Sequence, residues 1–433
     1  MQTVCLVGKP NVGKSSLFNR LIKENKSIIM DTPGVTRDRI YGRCNYQDKS
    51  FYLIDTGGIT IGNDDFSKDI LMQATLAIDE ADLVLFVVDG IEDIDAHDRR
   101  VAEILHKSNK KIIVVVNKID NDKRKDNVYG FYELGFSDIL CVSASHNIGI
   151  DNLLKTITND LPEEVVERDD SLKFCIIGRP NVGKSSLINA ILNEDRVIVS
   201  DIAGTTRDAI DTKFKYNHED ITVIDTAGMR KKGKIYESVE KYSLIRSLKA
   251  IDRSDVCVLV IDASVGIIEH DKHIASYALD AGKGIVICVN KWDTINNPDK
   301  DIKTWKELIK NEFQFIPYAH VVFLSAKTKK RVSTLMPEVI NAYNNNRKEV
   351  KTSVLNNIIM EAVSIHEPPS YKGKRLKIYF VSQTGSCPPK FTFSVNNKGL
   401  VHFSYERYLE NQIRNNIDFD GTPIVLQFKN KSE

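Results

Sequence analysis

The chain has no run of apolar residues approaching the roughly 20 that a membrane-crossing helix needs, so no such helix is expected. It also lacks an excess of charge: 60 lysines and arginines stand against 59 acidic residues, a formal net charge of +1. Nothing in that balance draws the molecule toward nucleic acid or an anionic membrane, and any such partner must be met by a local patch. The seven cysteines include no Cys-x-x-Cys pair and fall mostly inside apolar runs, as Cys5, Cys175, Cys257 and Cys288 do. That excludes a disulfide frame or a zinc site and points to buried thiols in a reducing compartment. The first apolar run begins within a few residues of Met1, leaving no space for a leader peptide, so a soluble, cytoplasmic protein is expected. At 433 residues the chain is too long for one core, and two or three domains are expected.

What the sequence does contain is a duplication. The octet Gly8-Lys9-Pro10-Asn11-Val12-Gly13-Lys14-Ser15 follows the apolar run Val4-Cys5-Leu6-Val7 and leads through Ser16 into a helical pattern. It returns as Gly178-Arg179-Pro180-Asn181-Val182-Gly183-Lys184-Ser185, after Phe174-Cys175-Ile176-Ile177 and before Ser186. Glycines in such a loop let successive backbone N–H groups curl around a phosphate chain, the next helix aims its positive end at it, and the lysine adds a point charge. Behind each octet come further matches in one order. Thr36 and Thr206 lie at the same separation from Gly8 and Gly178, each in Thr-Arg-Asp. Asp55-Thr56-Gly57-Gly58 and Asp225-Thr226-Ala227-Gly228 are likewise in step. Asn117-Lys118-Ile119-Asp120 and Asn290-Lys291-Trp292-Asp293 close apolar runs, and Ser143-Ala144-Ser145 and Ser325-Ala326-Lys327 follow. Two five-part sets do not arise from turn chemistry alone.

Each repeat alternates short β-branched runs with amphipathic segments, the pattern of an α/β domain around a mainly parallel sheet. Leu83 to Val88, Ile112 to Val116, Val256 to Ile261 and Ile285 to Val289 read as core strands. The spacing sets a first domain at 1–160, an acidic linker at 161–172, a second domain at 173–348 and a C-terminal domain at 349–433. The linker reads as solvated, with docking as the alternative. The tract Asn344-Asn345-Asn346-Arg347-Lys348 is too polar to bury a face and marks the last boundary. Beyond it, Thr352-Ser353 offer an N-cap to a helix through Leu355 and Ile359, and Leu376 to Phe380 and Phe391 to Val395 look like strands. A helix over 405–413 and a strand over 424–428 complete an α-β-β-α-β order. The cluster Met229-Arg230-Lys231-Lys232-Gly233-Lys234, absent from the first repeat, is either a solvated loop or a contact to an anionic partner.

The motifs specify a chemistry. A carboxylate closing Asn-Lys-x-Asp accepts from the adjacent N–H and NH2 of guanine, a pair adenine does not offer, so Asp120 and Asp293 predict two guanine-specific sites. Ser143, Ala144, Ser325 and Ala326 line the base through backbone groups. Ser15 and Ser185 are the expected Mg2+ ligands, with Thr36 and Thr206 completing the shell when a γ-phosphate is present. The N–H of Gly58 or Gly228 binds that phosphate, and Asp55 and Asp225 orient the metal through water, so that hydrolysis of GTP to GDP releases both loops. Ile59 and Met229 stand where a Ras-like enzyme carries its water-orienting glutamine. Intrinsic hydrolysis is therefore expected to be slow unless another charge is supplied; Arg37 and Arg207 are alternatives for it, although surface residence suits them better.

With Gly-x-Pro-Asn-Val-Gly-Lys-Ser twice, Thr-Arg-Asp twice and the C-terminal segments Cys387-Pro388-Pro389-Lys390-Phe391, Ser404-Tyr405-Glu406-Arg407-Tyr408-Leu409 and Phe419-Asp420-Gly421-Thr422-Pro423-Ile424, the chain resembles the Der, or EngA, family of double-GTPase ribosome-assembly factors. The resemblance implies two tandem P-loop GTPase domains followed by a KH-like α+β domain packed between them. It also implies a cytoplasmic protein, with no requirement for an oligomer, that binds the large ribosomal subunit and its rRNA. Asn11 and Asn181 resemble the asparagine with which one group of GTPases holds a potassium ion in the place of an arginine finger; a hydrogen bond tethering the switch is the alternative.

Overall fold

The computed structural model describes residues 2–24, 41–47, 49–55, 78, 81–120, 122–161, 171–194, 196–199, 211–217, 219–224, 247–371 and 374–431. The chain divides into two compact units, one built on the first repeat and the other on the second repeat together with the C-terminal segment. Residues 25–40, 200–210 and 225–246, with linker residues 162–170, lie outside the described residues.

In the first unit, β1 (Gln2–Val7), β3 (Lys49–Asp55), β4 (Leu83–Asp89), β5 (Lys111–Asn117) and β6 (Ile139–Cys141) are parallel, and β2 (Tyr41–Tyr46) pairs antiparallel with β3. The sheet order is β2-β3-β1-β4-β5-β6. Every residue of β4 is buried. A strand apolar on both faces has to be covered on both, which is why its sequence runs Leu-Val-Leu-Phe-Val-Val without alternation. One face packs on Leu17 and Leu21 of α1 (Lys14–Glu24) and on Leu153 and Ile157 of α3 (Ile150–Asp160). The other packs on Ala102 and Leu105 of α2 (Ala96–Lys107).

The second unit repeats this plan with β7 (Leu172–Ile177), α4 (Lys184–Leu192), β8 (Val197–Val199), β9 (Thr212–Tyr216), β10 (Glu219–Ile224), β11 (Val256–Asp262), α5 (Glu269–Asp280), β12 (Gly284–Asn290), α6 (Pro298–Glu312), β13 (His320–Phe323) and α7 (Leu335–Arg347). Its order is β13-β12-β11-β7-β10-β9-β8. The C-terminal part follows as α8 (Thr352–Ile365), the short pair β14 (Ser370–Tyr371) and β15 (Lys374–Arg375), then β16 (Ile378–Gly385), β17 (Lys390–Val395), α9 (Phe403–Asn416) and β18 (Val425–Asn430). In this three-stranded sheet β17 lies in the middle, antiparallel to β16 and parallel to β18. Leu355 and Ile359 of α8 and Leu409 and Ile413 of α9 pack with Phe391 and Phe393 of β17.

Three local expectations change. Helix α8 starts at Thr352 itself, with Lys351 in the cap position and no side-chain cap bond, so Thr352-Ser353 do not cap it. Strand β16 begins two residues later than the apolar pattern suggested and runs on through Ser382, Gln383 and Thr384, because pairing with β17 continues across two register shifts. The polar tract before the C-terminal part is no solvated boundary: Asn345 and Asn346 are each only 2% exposed. Asn345 Nδ2 donates to Asp420 O at 2.9 Å, Asn346 Oδ1 accepts from Thr422 Oγ1 at 2.8 Å, and Cys387 N donates to Asn346 O at 3.0 Å. The buried amides are tolerated because each finds partners. Gly421 completes the seam, its O accepting from Ile285 N at the foot of β12 and its N donating to Tyr318 O, both at 2.7 Å.

Candidate nucleotide sites

Each phosphate loop joins the end of a buried strand to the start of a helix, β1 to α1 and β7 to α4. Gly8 and Gly178 are fixed by close approach, since a Cβ there would meet Val87 O at 2.2 Å and Val260 O at 2.6 Å. Gly13 and Gly183 have φ of 91° and 98°, where side chains are strained, and a Cβ would strike the amide of Asn117 or Asn290 at 2.3 Å. Asn11 and Asn181 adopt the left-handed region at φ 67° and 63°, which asparagine reaches more readily than most residues, and both are exposed. Pro10 is exposed, Pro180 half-buried, and Val12 and Val182 anchor the loops in the core.

The loop lysines are pre-aimed. Lys14 Nζ donates to Gly8 O at 2.8 Å and Lys9 O at 2.6 Å; Lys184 Nζ donates to Gly178 O and Arg179 O, both at 2.6 Å. Burial lowers the Lys184 ammonium to about 8, while for Lys14 burial also lowers it and the Asp55 carboxylate pulls the other way. A cation held with little water around it is ready to take a phosphate oxygen as its remaining partner. Ser15 Oγ donates to Asp55 Oδ2 at 2.6 Å at the carboxyl end of β3. Ser15, Ser16, Ser185 and Ser186 are exposed at the helix starts. Two hard oxygen donors beside the loop suit Mg2+.

The side chains of Lys9 and Arg179 point away from the loop. Lys9 Nζ meets Asp95 at 2.9 Å, Asp98 at 3.1 Å and Glu92 at 3.3 Å, and Arg179 Nε meets the buried Asp271 at 2.9 Å. What they give the phosphate site is their carbonyl oxygens, held by pinning the loop to the starts of α2 and α5. No sequence motif announced these carboxylates.

Asn117 and Asn290 tie the site together. Asn117 Nδ2 donates to Val12 O at 2.9 Å while its Oδ1 accepts from Ala144 N at 3.1 Å; for Asn290 the distances are 2.8 Å to Val182 O and 3.0 Å from Ala326 N. One side chain thus fixes the Gly-rich loop against the Ser143-Ala144 turn, or the Ser325-Ala326 turn in the second repeat. Lys118 and Lys291 stand at φ 69° and 59°, bonded to Asp89 and Asp262 at the ends of β4 and β11. The sequence reading missed these two aspartates; their signal is that each closes an apolar run at the same distance before Asn117 or Asn290. Asp120 and Asp293 are exposed at the mouths, Ser143 and Ser325 are buried behind them, and a cavity of about 410 Å³ opens beside Asp293 between Trp292, Phe323 and Arg331. Thr36, Thr56, Gly57, Gly58, Thr206, Asp225, Thr226, Ala227 and Gly228 lie outside the described residues, as do Arg37, Arg207 and the 229–234 cluster.

Comparison with known proteins finds the same duplication. A family described as 50S ribosome-binding GTPase matches residues 3–118 and again 173–291, and a KH-domain-like family of the C-terminal part of EngA bacterial GTPases matches 349–429. A relative named GTPase Der from Geobacillus sp. (strain WCH70) is 53% identical over 98% of this chain and 98% of its own length. Another GTPase Der, from Listeria welshimeri, is 52% identical over 99% of both. Among solved structures, Era of Aquifex aeolicus bound to GDP and aluminium fluoride aligns at 25% identity over 57% of this chain and 88% of its own, with a TM-score of 0.32.

Proposed function

Because the chain belongs to the Der, or EngA, family of GTPases, we propose that its two GTP-hydrolysing domains act as switches in assembly of the large ribosomal subunit. The observation that carries this is the doubled, preset site: in both repeats the loop lysine is aimed by two carbonyls and one asparagine locks the phosphate loop to the base turn. The printed description of the repeated family, ribosome binding, supports the partner. We assign domains at 1–160, 173–348 and 349–433 around a 161–172 linker, in a cytoplasmic monomer that meets rRNA.

In each domain the loop N–H groups from Gly8 to Ser16, or Gly178 to Ser186, hold the phosphates, and Lys14 or Lys184 sets its positive charge against the negative charge that builds on the phosphate oxygens as the terminal phosphate departs. Asp120 and Asp293 read guanine, with the turns Ser143-Ala144 and Ser325-Ala326 lining the base. Lys118 and Lys291, fixed by Asp89 and Asp262, support the base site. Ser15 with Thr36, and Ser185 with Thr206, would hold Mg2+, which when bound neutralises charge on the β- and γ-phosphates. Gly58 and Gly228 sense the γ-phosphate. Asn11 and Asn181 would help hold K+ where neither Ile59 nor Met229 can orient water. Turnover measured in K+ and in Na+ at equal ionic strength tests that assignment, and equal rates would remove it. Co-sedimentation with large ribosomal subunits in GTP and in GDP tests the switch; binding indifferent to nucleotide would contradict it.

A further inference from the structure

We propose that the turn 327–331 of the second GTPase domain is a docking surface for the phosphodiester backbone of RNA, a partner that rests on the ribosomal reading above. Both repeats build this turn on one backbone. Ser143 N donates to Ile148 O at 2.9 Å and Ser325 N to Lys330 O at 3.0 Å, so Asn147 corresponds to Lys329 and Gly149 to Arg331. All four are left-handed: Asn147 and Lys329 at φ 61°, Gly149 at 74°, Arg331 at 61°. Glycine and asparagine enter that region at least cost, because a Cβ crowds the following carbonyl there. The first repeat uses those two residues; the second places long cations at the same two strained positions.

Strain kept at a particular place calls for a reason outside the turn's own stability. For Lys329 packing does not supply it, since Lys327, Thr328, Lys329 and Lys330 are exposed, whereas Arg331 is half-buried and lines the cavity beside Asp293. Among the described residues, the ammonium groups of Lys327, Lys329 and Lys330 form no ion pair or hydrogen bond. Three uncompensated charges within four residues stand out in a chain whose net charge is +1. They sit beside Ser325 and Ala326, at the rim of the second base site, where the first repeat carries Ser145, Asn147 and Ile148. The exposed stretch Lys-Thr-Lys-Lys offers no apolar anchor of the kind that dominates protein interfaces, whereas lysine and threonine side chains are common phosphate contacts.

The test uses the full chain, large ribosomal subunits and deproteinised large-subunit rRNA. Lys329→Asn installs the residue the first repeat has at the same φ and so keeps the turn. It should lower affinity for both targets about three- to tenfold near physiological salt and flatten the slope of log K against log salt by about 0.7–0.9. Lys329→Asn/Lys330→Gln should roughly double the change in slope. GTP affinity of the second site under Lys329→Asn should stay at the wild-type value, which shows the domain intact. Equal affinity and equal slope for wild type and both variants would overturn the proposal. Loss on whole subunits but not on deproteinised RNA would also overturn it, in favour of an acidic ribosomal protein. A wild-type chain that binds neither target would remove the ribosomal reading together with it.

Discussion

Asn290 and Val182 are 108 residues apart in the chain and joined by a 2.8 Å bond from the side-chain amide to the backbone carbonyl. The same amide's oxygen accepts from Ala326 N, so the base turn and the phosphate loop share one rigid link. Asn290→Ala removes both bonds at a buried point and leaves a carbonyl and an N–H without partners, worth about 2–4 kcal/mol together. GTP affinity at the second site should fall by about two orders of magnitude, read by titration in a Lys14→Ala background that silences the first. A loss below threefold would show that the link does not set the site.

Asp293→Asn exchanges the two acceptors for an acceptor and a donor. Affinity should move from GTP toward xanthosine triphosphate, in which the 2-amino group is replaced by a carbonyl. Competition between the two nucleotides measures it; unchanged preference for GTP would remove Asp293 from the base contact.

Strands and motifs were legible because their signals are local. Val256 to Ile261 is apolar at every position and is buried at every position, and Asp55 follows an apolar run and ends its strand. What the sequence hid are pairings between distant residues. Asn345 and Asn346 look solvated until Asp420 and Thr422, more than 70 residues later, are brought to them. Lys9 reads as a phosphate ligand because it lies within the loop motif, yet its ammonium is taken by Asp95 and Asp98. Charge alone does not reveal which of two anions a lysine meets.

Burial lowers Lys184 to about 8, so in the free protein the loop cation loses its proton as the pH rises through that value. Bound phosphate favours the charged form and raises the value again. Binding should therefore be insensitive to pH well below 8, and above it should weaken by up to about tenfold per pH unit while taking up a proton. Calorimetry of the second site near pH 8.5, in two buffers of different ionisation enthalpy, reads this directly. Heats independent of the buffer would contradict it.

The Lys9 clamp makes a separate prediction. Lys9→Met leaves Asp98, only 2% exposed, without its cation and frees the loop carbonyl that aims Lys14. The first domain should lose about 2 kcal/mol of stability, and its affinity for GTP should fall. Lys9→Arg, the residue the second repeat carries at this position, should restore most of both. If Lys9→Met lowered affinity without touching the melting temperature, the ammonium would be acting on the nucleotide instead.

The seam between the second GTPase domain and the C-terminal part should behave as core. Thr422 is fully buried, and its hydroxyl donates to Asn346 Oδ1 at 2.8 Å. Asn346→Leu leaves that hydroxyl without its acceptor at a cost of about 1–3 kcal/mol, whereas Asn346→Leu/Thr422→Val removes both polar partners and should recover part of the loss. Backbone bonds from Gly421 to Ile285 and Tyr318 join the two parts further, so in wild type they should unfold in one transition. Asn346→Leu should separate the C-terminal transition from that of the GTPase domain, followed in denaturant by tryptophan emission from Trp292 and Trp305 for the latter and by a label at exposed Cys387 for the former. Two separate transitions in wild type would mean that the buried amides do not couple the domains, and a double variant no more stable than Asn346→Leu would mean that the hydroxyl is not what the substitution orphans.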